Sequence, residues 1–299
     1  MEEFVYEVLS HDEWWWEVGR RELVKNLLHR YGVNGVEDSR ATGAGPRILE
    51  IGCGSGALLQ DLQHYGTAVG LDVAAPALAN CRDRGLDCVS LADVTALPFA
   101  DEQFNVVIAI DVLEHVEDDA AAIREINRVT KKGGKVILTV PAFQMLWSRR
   151  DVQCHHHRRY LRDDFRARVQ RGGFKVLKST YINLPLFFPL FMMVKAGRLS
   201  SKQAPSIRMD YALVPPPINR ILSRVVEYEA KMLRRFSLPI GSSIAVVGVK
   251  AASVSRPSPP DTGAAPASRR TRKVSPGRTP KARGAQPPPA ASKRARAAK

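Results

Sequence analysis

Residues 50–56 read Glu50-Ile-Gly52-Cys53-Gly54-Ser-Gly56, directly after an apolar run and directly before the helical pattern ALLQDLQHYG. Glycines at such a junction let the backbone turn sharply and approach a ligand closely, and the helix start offers unpaired N–H groups to it. Gly52, Gly54 and Ala57 also satisfy the loose dinucleotide pattern G-x-G-x-x-G/A, and Asp72 follows at about the expected twenty residues. The loop therefore points to a nucleotide-type ligand rather than to a purely structural turn. Asp72 ends an apolar run, where a carboxylate can accept hydrogen bonds from two vicinal ribose hydroxyls. Its competing role is to start the helix of APALANCRDRG. Further along, Asp93 in LADVTALPFAD is suited to an exocyclic adenine amine, and Asp111 in AIDVLEHV ends another apolar run at the same edge.

Histidines supply the candidate proton acceptors near neutral pH. His115 follows Asp111 closely, and its competing reading is a half-buried residue at a helix start. His155, His156 and His157 are adjacent in sequence, so their side chains diverge, and no Asp, Glu or Cys stands at ligand spacing around them; no metal site is expected. His156, His157, Arg158, Arg159 and Tyr160 read instead as a site for an anion or an acceptor molecule, or as a solvated basic turn. Trp14, Trp15 and Trp16 offer aromatic faces that attract a cation or simply pack, and Arg20 and Arg21 can pair with a carboxylate or phosphate.

Positioning these residues falls to short runs rich in Val and Ile at 47–52, 67–73, 105–112 and 135–141, with helical patterns between most of them. Strands alternating with helices make a mainly parallel sheet. Later strands are expected at 175–182 and 242–251, added as an antiparallel edge. Helices are expected up to about Arg30, over 161–174 with Gly172 and Gly173 as its stop, and from Ile218 to Arg235. The reading divides the chain into one domain at 1–252, with a helical lid at 1–35 and an inserted cap at 183–240, and a disordered tail at 253–299.

Taken together, EIGCGSG, GLDV, ADVTALPF, FNVVIAIDVLEHV and GGKVILTVP, in this order and spacing, resemble the class I S-adenosylmethionine-dependent methyltransferases of the small-molecule and lipid type. The resemblance covers about 95 residues closely. It implies an α/β, Rossmann-like fold with a seven-stranded, mostly parallel sheet and one antiparallel strand. It also implies S-adenosyl-L-methionine as cofactor: Glu50 and Gly52 to Gly56 around its amino-acid part, Asp72 with Val73 at the ribose, Asp93 with Val94 at the adenine, and Asp111 beneath the reactive centre. For a hydroxyl acceptor, His115 and His157 are then the candidate bases, and Trp15, Trp16, Arg20, His156, Arg159 and Tyr160 the candidate lid and acceptor contacts. A weaker likeness, carried by His11 to Arg21, Pro141 to Ser148 and His156 to Tyr160, is to a bacterial subgroup seen with cell-surface glycan or lipid pathways.

Composition bounds the partners. The chain has 299 residues and a net charge of +15, yet twelve of its 45 basic residues and one of its 30 acids fall after residue 250, so the remainder is only mildly basic. The tail is poor in large apolar residues and cannot offset its ordering entropy. Its charge suits nucleic acid or an anionic membrane as well as plain solvation; no specific nucleic acid is expected, because the charge does not gather at the cleft. The start MEEFVYEVLS has neither a basic nor an apolar signal region, and Cys53, Cys81, Cys88 and Cys154 form no CxxC pair, so a cytoplasmic protein with reduced thiols is expected. The run LPLFFPLFMMV is too short to span a bilayer; it is read as buried or pocket-lining, or as a surface dipping into a membrane or lipid acceptor. Three competing functions remain open. A nicotinamide-dependent dehydrogenase lacks its Tyr-x-x-x-Lys pair here and gives Asp93 and Asp111 no role. An RNA or protein methyltransferase would draw on the basic tail, and a non-catalytic protein would keep only the cofactor fold.

Overall fold

A computed structural model describes residues 12–31, 45–199 and 214–251. The expected basic tail and most of the loop before Pro46 lie outside the described residues. The Val- and Ile-rich runs form strands β1 (Arg47–Ile51), β2 (Thr67–Asp72), β3 (Val89–Leu91), β4 (Phe104–Ile110), β5 (Thr130–Pro141), β6 (Phe174–Ile182) and β7 (Ser243–Lys250). Helices are α1 (Trp15–Arg30), α2 (Ala57–Leu62), α3 (Ala75–Asp83), α4 (Asp119–Val129), α5 (Arg149–Gln153), α6 (Arg162–Arg171), α7 (Leu184–Leu199) and α8 (Pro216–Met232). They alternate with the strands through the first half of the chain, as a parallel sheet requires.

The seven strands form one sheet in the order β3-β2-β1-β4-β5-β7-β6. Only β7 runs antiparallel, pairing with β5 on one side and β6 on the other. The expected antiparallel edge is thus corrected: the antiparallel strand is interior, and β6 is the edge. The burial of each strand explains the swap. SIAVVGVK is buried over its first six residues, as suits a strand covered on both faces, whereas β6 alternates between exposed and half-buried through much of its length. Short, half-polar β3 gave no run long enough to register in the sequence.

The core runs along the middle of the sheet through Ile48, Leu49, Val107, Ile108, Ile137 and Val246. Chain order reverses between β1 and β4, so their carboxyl ends open a crevice at a switch point, the usual place for a ligand in such sheets. Above it lies α1, which ends at Arg30 as the sequence suggested and takes in Trp15 and Trp16. Leu23, Val24, Leu27 and Leu28 join the core. α8 holds the start of α1: Asn219 accepts from the Trp15 N–H at 2.9 Å and donates to the Glu13 carbonyl at 2.9 Å. At its other face Arg84 at the end of α3 forms a two-pronged pair with Asp12. α7 is the apolar run LPLFFPLFMMV, with Pro189 inside it. Among the described residues no helix is long and apolar enough to cross a membrane.

Candidate functional site

The loop after β1 is held in one shape by backbone geometry. Gly52, Gly54 and Gly56 all have positive φ, which side-chain-bearing residues rarely adopt. A Cβ on Gly52 would lie 2.6 Å from Val112, so only glycine lets β1 and β4 approach here; one on Gly54 would meet nothing within 4 Å, because that position faces open space. Asp72 ties the loop down. Its buried carboxylate accepts from the Gly54 N–H at 3.0 Å and, through the other oxygen, from the Ala74 N–H at 2.9 Å. Asp72 thus orders the glycine loop and the residue that precedes α3, and each carboxylate oxygen keeps a second lone pair.

Glu50 is the electrostatic anomaly of the site. Its side chain is buried, and Oε2 has no hydrogen-bond partner. Burial pushes its carboxyl well above the usual range, and Arg20 only partly opposes that. Arg20 reaches in from α1: it donates to the Ile110 carbonyl at 2.7 Å and to Glu17 at 3.2 Å, and lies 3.6 Å from Asp111 Oδ2. Arg20, expected to meet a carboxylate or phosphate, pairs with Glu17 and Asp111 within the chain and also lines the cleft. Asp111 follows β4 with a φ of 53°, and its Oδ1 accepts from the Thr139 hydroxyl at 2.8 Å. Asp93 is exposed and accepts from the N–H and hydroxyl of Thr95, both at 2.7 Å, while Val94 is buried. That loop is pinned from α4, where Arg128 donates to the carbonyls of Leu97 and Phe99 and Glu125 accepts from the Leu97 N–H.

Glu50, Gly54, Asp72, Asp93, Val94, Arg20 and Asp111, with Gly52, Cys53 and Val73, line one cleft of about 1150 Å³. Trp15, Trp16 and Arg21 line it from α1, and Leu186, Pro189, Leu190 and Met193 from α7. Gly56 is buried behind the loop, where a Cβ would meet Leu86 and Cys81. The cleft is amply large for a cofactor together with an acceptor.

The histidine region differs from the sequence reading. His115 closes a 3-10 turn at Leu113–His115, and its ring packs edge-on against that of His156, with centroids 4.6 Å apart. Burial, then the neighbouring His156, push the His115 imidazole down to about 4, although Asp111 pulls the other way. His157 is exposed at the cleft; its backbone N–H donates to the Glu114 carbonyl at 2.7 Å. So His115 packs against His156.

The expected anion site at Arg158, Arg159 and Tyr160 is largely spoken for. Arg159 donates through Nε and an amino group to both oxygens of Asp151, at 2.7 and 3.0 Å, and Asp151 also accepts from the Ser148 N–H and hydroxyl. Burial resists a charge on Asp151, but His156, Arg159 and Ser148 outweigh it and hold the carboxyl well below the carboxylate range. Arg158 lies 3.4 Å from Asp119, and the buried Tyr160 hydroxyl donates to the same carboxylate at 2.9 Å, facing away from the cleft. Asp119 drew no attention in the sequence, nor did Asp151, Thr139 or Glu114. Asp119 and Thr139 meet partners far along the chain, and Asp151 gathers Ser148, His156 and Arg159 around an irregular turn, so no periodicity marks them.

Against known proteins, residues 49–138 match the family described as "Methyltransferase domain". A ubiquinone biosynthesis O-methyltransferase of Pseudomonas aeruginosa is 38% identical over 144 residues, covering 45% of this chain and 60% of its own. The protein of that name from Pseudomonas putida is 35% identical over the same length and coverage. The chain thus spans about three fifths of the length of these relatives. Among solved structures, a putative sarcosine dimethylglycine methyltransferase from Galdieria sulphuraria has a TM-score of 0.49 at 15% identity, covering 77% of this chain and 84% of that one. Over residues 49–138 the chain carries a class I S-adenosylmethionine-dependent methyltransferase domain.

Proposed function

We propose that the protein transfers a methyl group from S-adenosyl-L-methionine to a hydroxyl on a small or lipid-linked acceptor with an apolar body. The observation that carries this reading is Glu50. A buried carboxylate oxygen without a partner costs on the order of 1–3 kcal/mol, more when charged, unless a ligand supplies the missing donor. The ammonium group of an amino-acid moiety is such a donor, beside a glycine loop whose open face at Gly54 admits it. Asp72 retains lone pairs for the two ribose hydroxyls, and the Asp93 and Val94 loop, pinned by Arg128, suits the adenine. Asp111, fixed by Thr139, lies between this region and the histidines.

The bound cofactor brings an already activated sulfonium methyl, so the chain's task is to align an acceptor and exclude water. Trp15 and Trp16 of α1 and the apolar side chains of α7 line the cleft. An acceptor's apolar body suits that wall, and the relatives named as ubiquinone biosynthesis O-methyltransferases accord with an oxygen acceptor. The same wall supports contact with a membrane surface from which a lipid-linked acceptor would enter. His115 and His157 are basic groups that line the same cleft. With its basicity lowered to about 4, His115 is neutral at physiological pH and a weak proton acceptor.

The test is transfer of a labelled methyl group into fractionated bacterial extracts, with Asp72→Ala beside the unaltered chain. Label is expected in the organic-soluble fraction, with the variant's cofactor affinity about 10- to 150-fold weaker, the worth of one charged hydrogen bond. Label confined to protein or RNA would overturn the acceptor class, and retention of a nicotinamide dinucleotide in place of S-adenosylmethionine would overturn the whole reading.

A further inference from the structure

We infer that Glu114, His115 and His156 form a binding site for one divalent transition-metal ion of the zinc type, at the wall of the cleft. The sequence pointed away from a metal, because the His155 to His157 trio had no acid at ligand spacing. The fold supplies one from 41 residues or more away in the chain. The 3-10 turn after β4 brings Glu114 and His115 against the loop carrying His156, and one ligand atom from each residue lies within 4.8 Å of the others. Tetrahedral coordination at about 2.1 Å asks for ligand atoms about 3.4 Å apart. Small side-chain rotations close that gap.

Two independent features favour a cation there. Glu114 is buried, and its Oε2 has no hydrogen-bond partner. Such a group is stabilised by a positive charge at close range. His156 is already oriented as metal-bound histidines are. Its Nδ1 lies 2.9 Å from Asp151 Oδ1, which fixes the ring and leaves Nε2 as the free nitrogen, and Asp151 is itself held by Arg159 and Ser148.

Two imidazoles with one carboxylate are the donor set of three-ligand zinc and non-haem iron sites, which keep further positions open. All three residues line the cleft, so the open positions face it. Magnesium and calcium prefer all-oxygen sites and suit this set poorly. The inference does not depend on methyl transfer, since the site is complete without the cofactor.

The experiment uses the untagged full chain stripped with a chelator, titrated with zinc by calorimetry and with cobalt(II) by visible absorption, without S-adenosylmethionine. One equivalent is expected to bind, with cobalt d–d bands characteristic of four or five ligands. Glu114→Gln and His156→Ala are expected to weaken zinc about 100-fold or more, Asp151→Asn about 10- to 100-fold, and His157→Ala not at all. Circular dichroism and S-adenosylmethionine binding establish that each variant is folded. Should Asp151→Asn fail to fold, Glu114→Gln and His157→Ala still decide. The inference is overturned if the folded chain binds no stoichiometric zinc, or if zinc survives Glu114→Gln and is lost in His157→Ala, which would mean adventitious binding by the exposed histidines. A chain that binds zinc but not S-adenosylmethionine would instead defeat the proposed function alone.

Discussion

Glu50 combines burial with a missing partner, and its titration follows from that. Because its carboxyl holds a proton more tightly than an ordinary glutamate, whose value is about 4.3, the free protein gains stability from this group at low pH. That contribution is lost as pH rises through the raised value. A cationic ligand favours the ionised form, so affinity for S-adenosylmethionine should climb with pH from about 4.3 up to that value and then level off. Glu50→Gln should flatten the profile and weaken binding about 10- to 150-fold, as read by calorimetry across pH. At Gly54 the argument is steric: Gly54→Ala puts a methyl at a φ of 51° and into the open cleft, so cofactor affinity should fall while the melting temperature drops by only a few degrees, about 1 kcal/mol of strain. At this scale the sequence was most legible where neighbours in the chain do the work. The glycines, Asp72 and Asp111 stand beside the strand ends that position them. Asp151 was not legible, because its meaning comes from Arg159 and His156 after the chain has turned back on itself.

Helix α7 depends on a neighbour for its first turn. The Glu229 carboxylate of α8 accepts from the backbone N–H groups of Asn183 and Leu184, just where β6 gives way to α7. Asn183 itself has a φ of 60°. Glu229→Gln replaces one acceptor oxygen with a donor that faces an N–H, at a cost of about 1–3 kcal/mol. The melting temperature should fall by about 2–12 °C, and hydrogen exchange at residues 183–187 should accelerate; unchanged exchange would show that α7 holds itself. The sequence marked this region only as an apolar stretch with two prolines, because its helical form rests on a carboxylate 45 residues away. The same limit explains the strands. Runs of Val and Ile at β1, β2, β4 and β5 declare themselves, while three-residue β3 and the interior position of β7 depend on which edges remain free to pair.

Across the molecule, the cleft gathers residues from both ends of the described chain, from Trp15 on α1 to Ser243 on β7. A ligand bridging such distant segments stabilises the whole fold. At one hundred times its dissociation constant the gain is about 2.7 kcal/mol, so S-adenosylmethionine or its demethylated product should raise the melting temperature by about 5–10 °C. Asp72→Ala should abolish most of that shift at the same concentration; an equal shift would mean that the ligand binds elsewhere. The strand order carries one more consequence, in the timing of synthesis. As the chain leaves the ribosome, β6 is made well before β7, yet among the described strands it pairs with β7 alone. Until Ser243–Lys250 is made, β6 has no neighbouring strand among the described residues, only the bridge of Tyr181 to Leu238, and the edge of β5 that β7 covers lacks its partner. Completion of the sheet waits for its second-to-last position to be filled by the last strand made, so a chain stopped short of Ser243 leaves two open edges for aggregation.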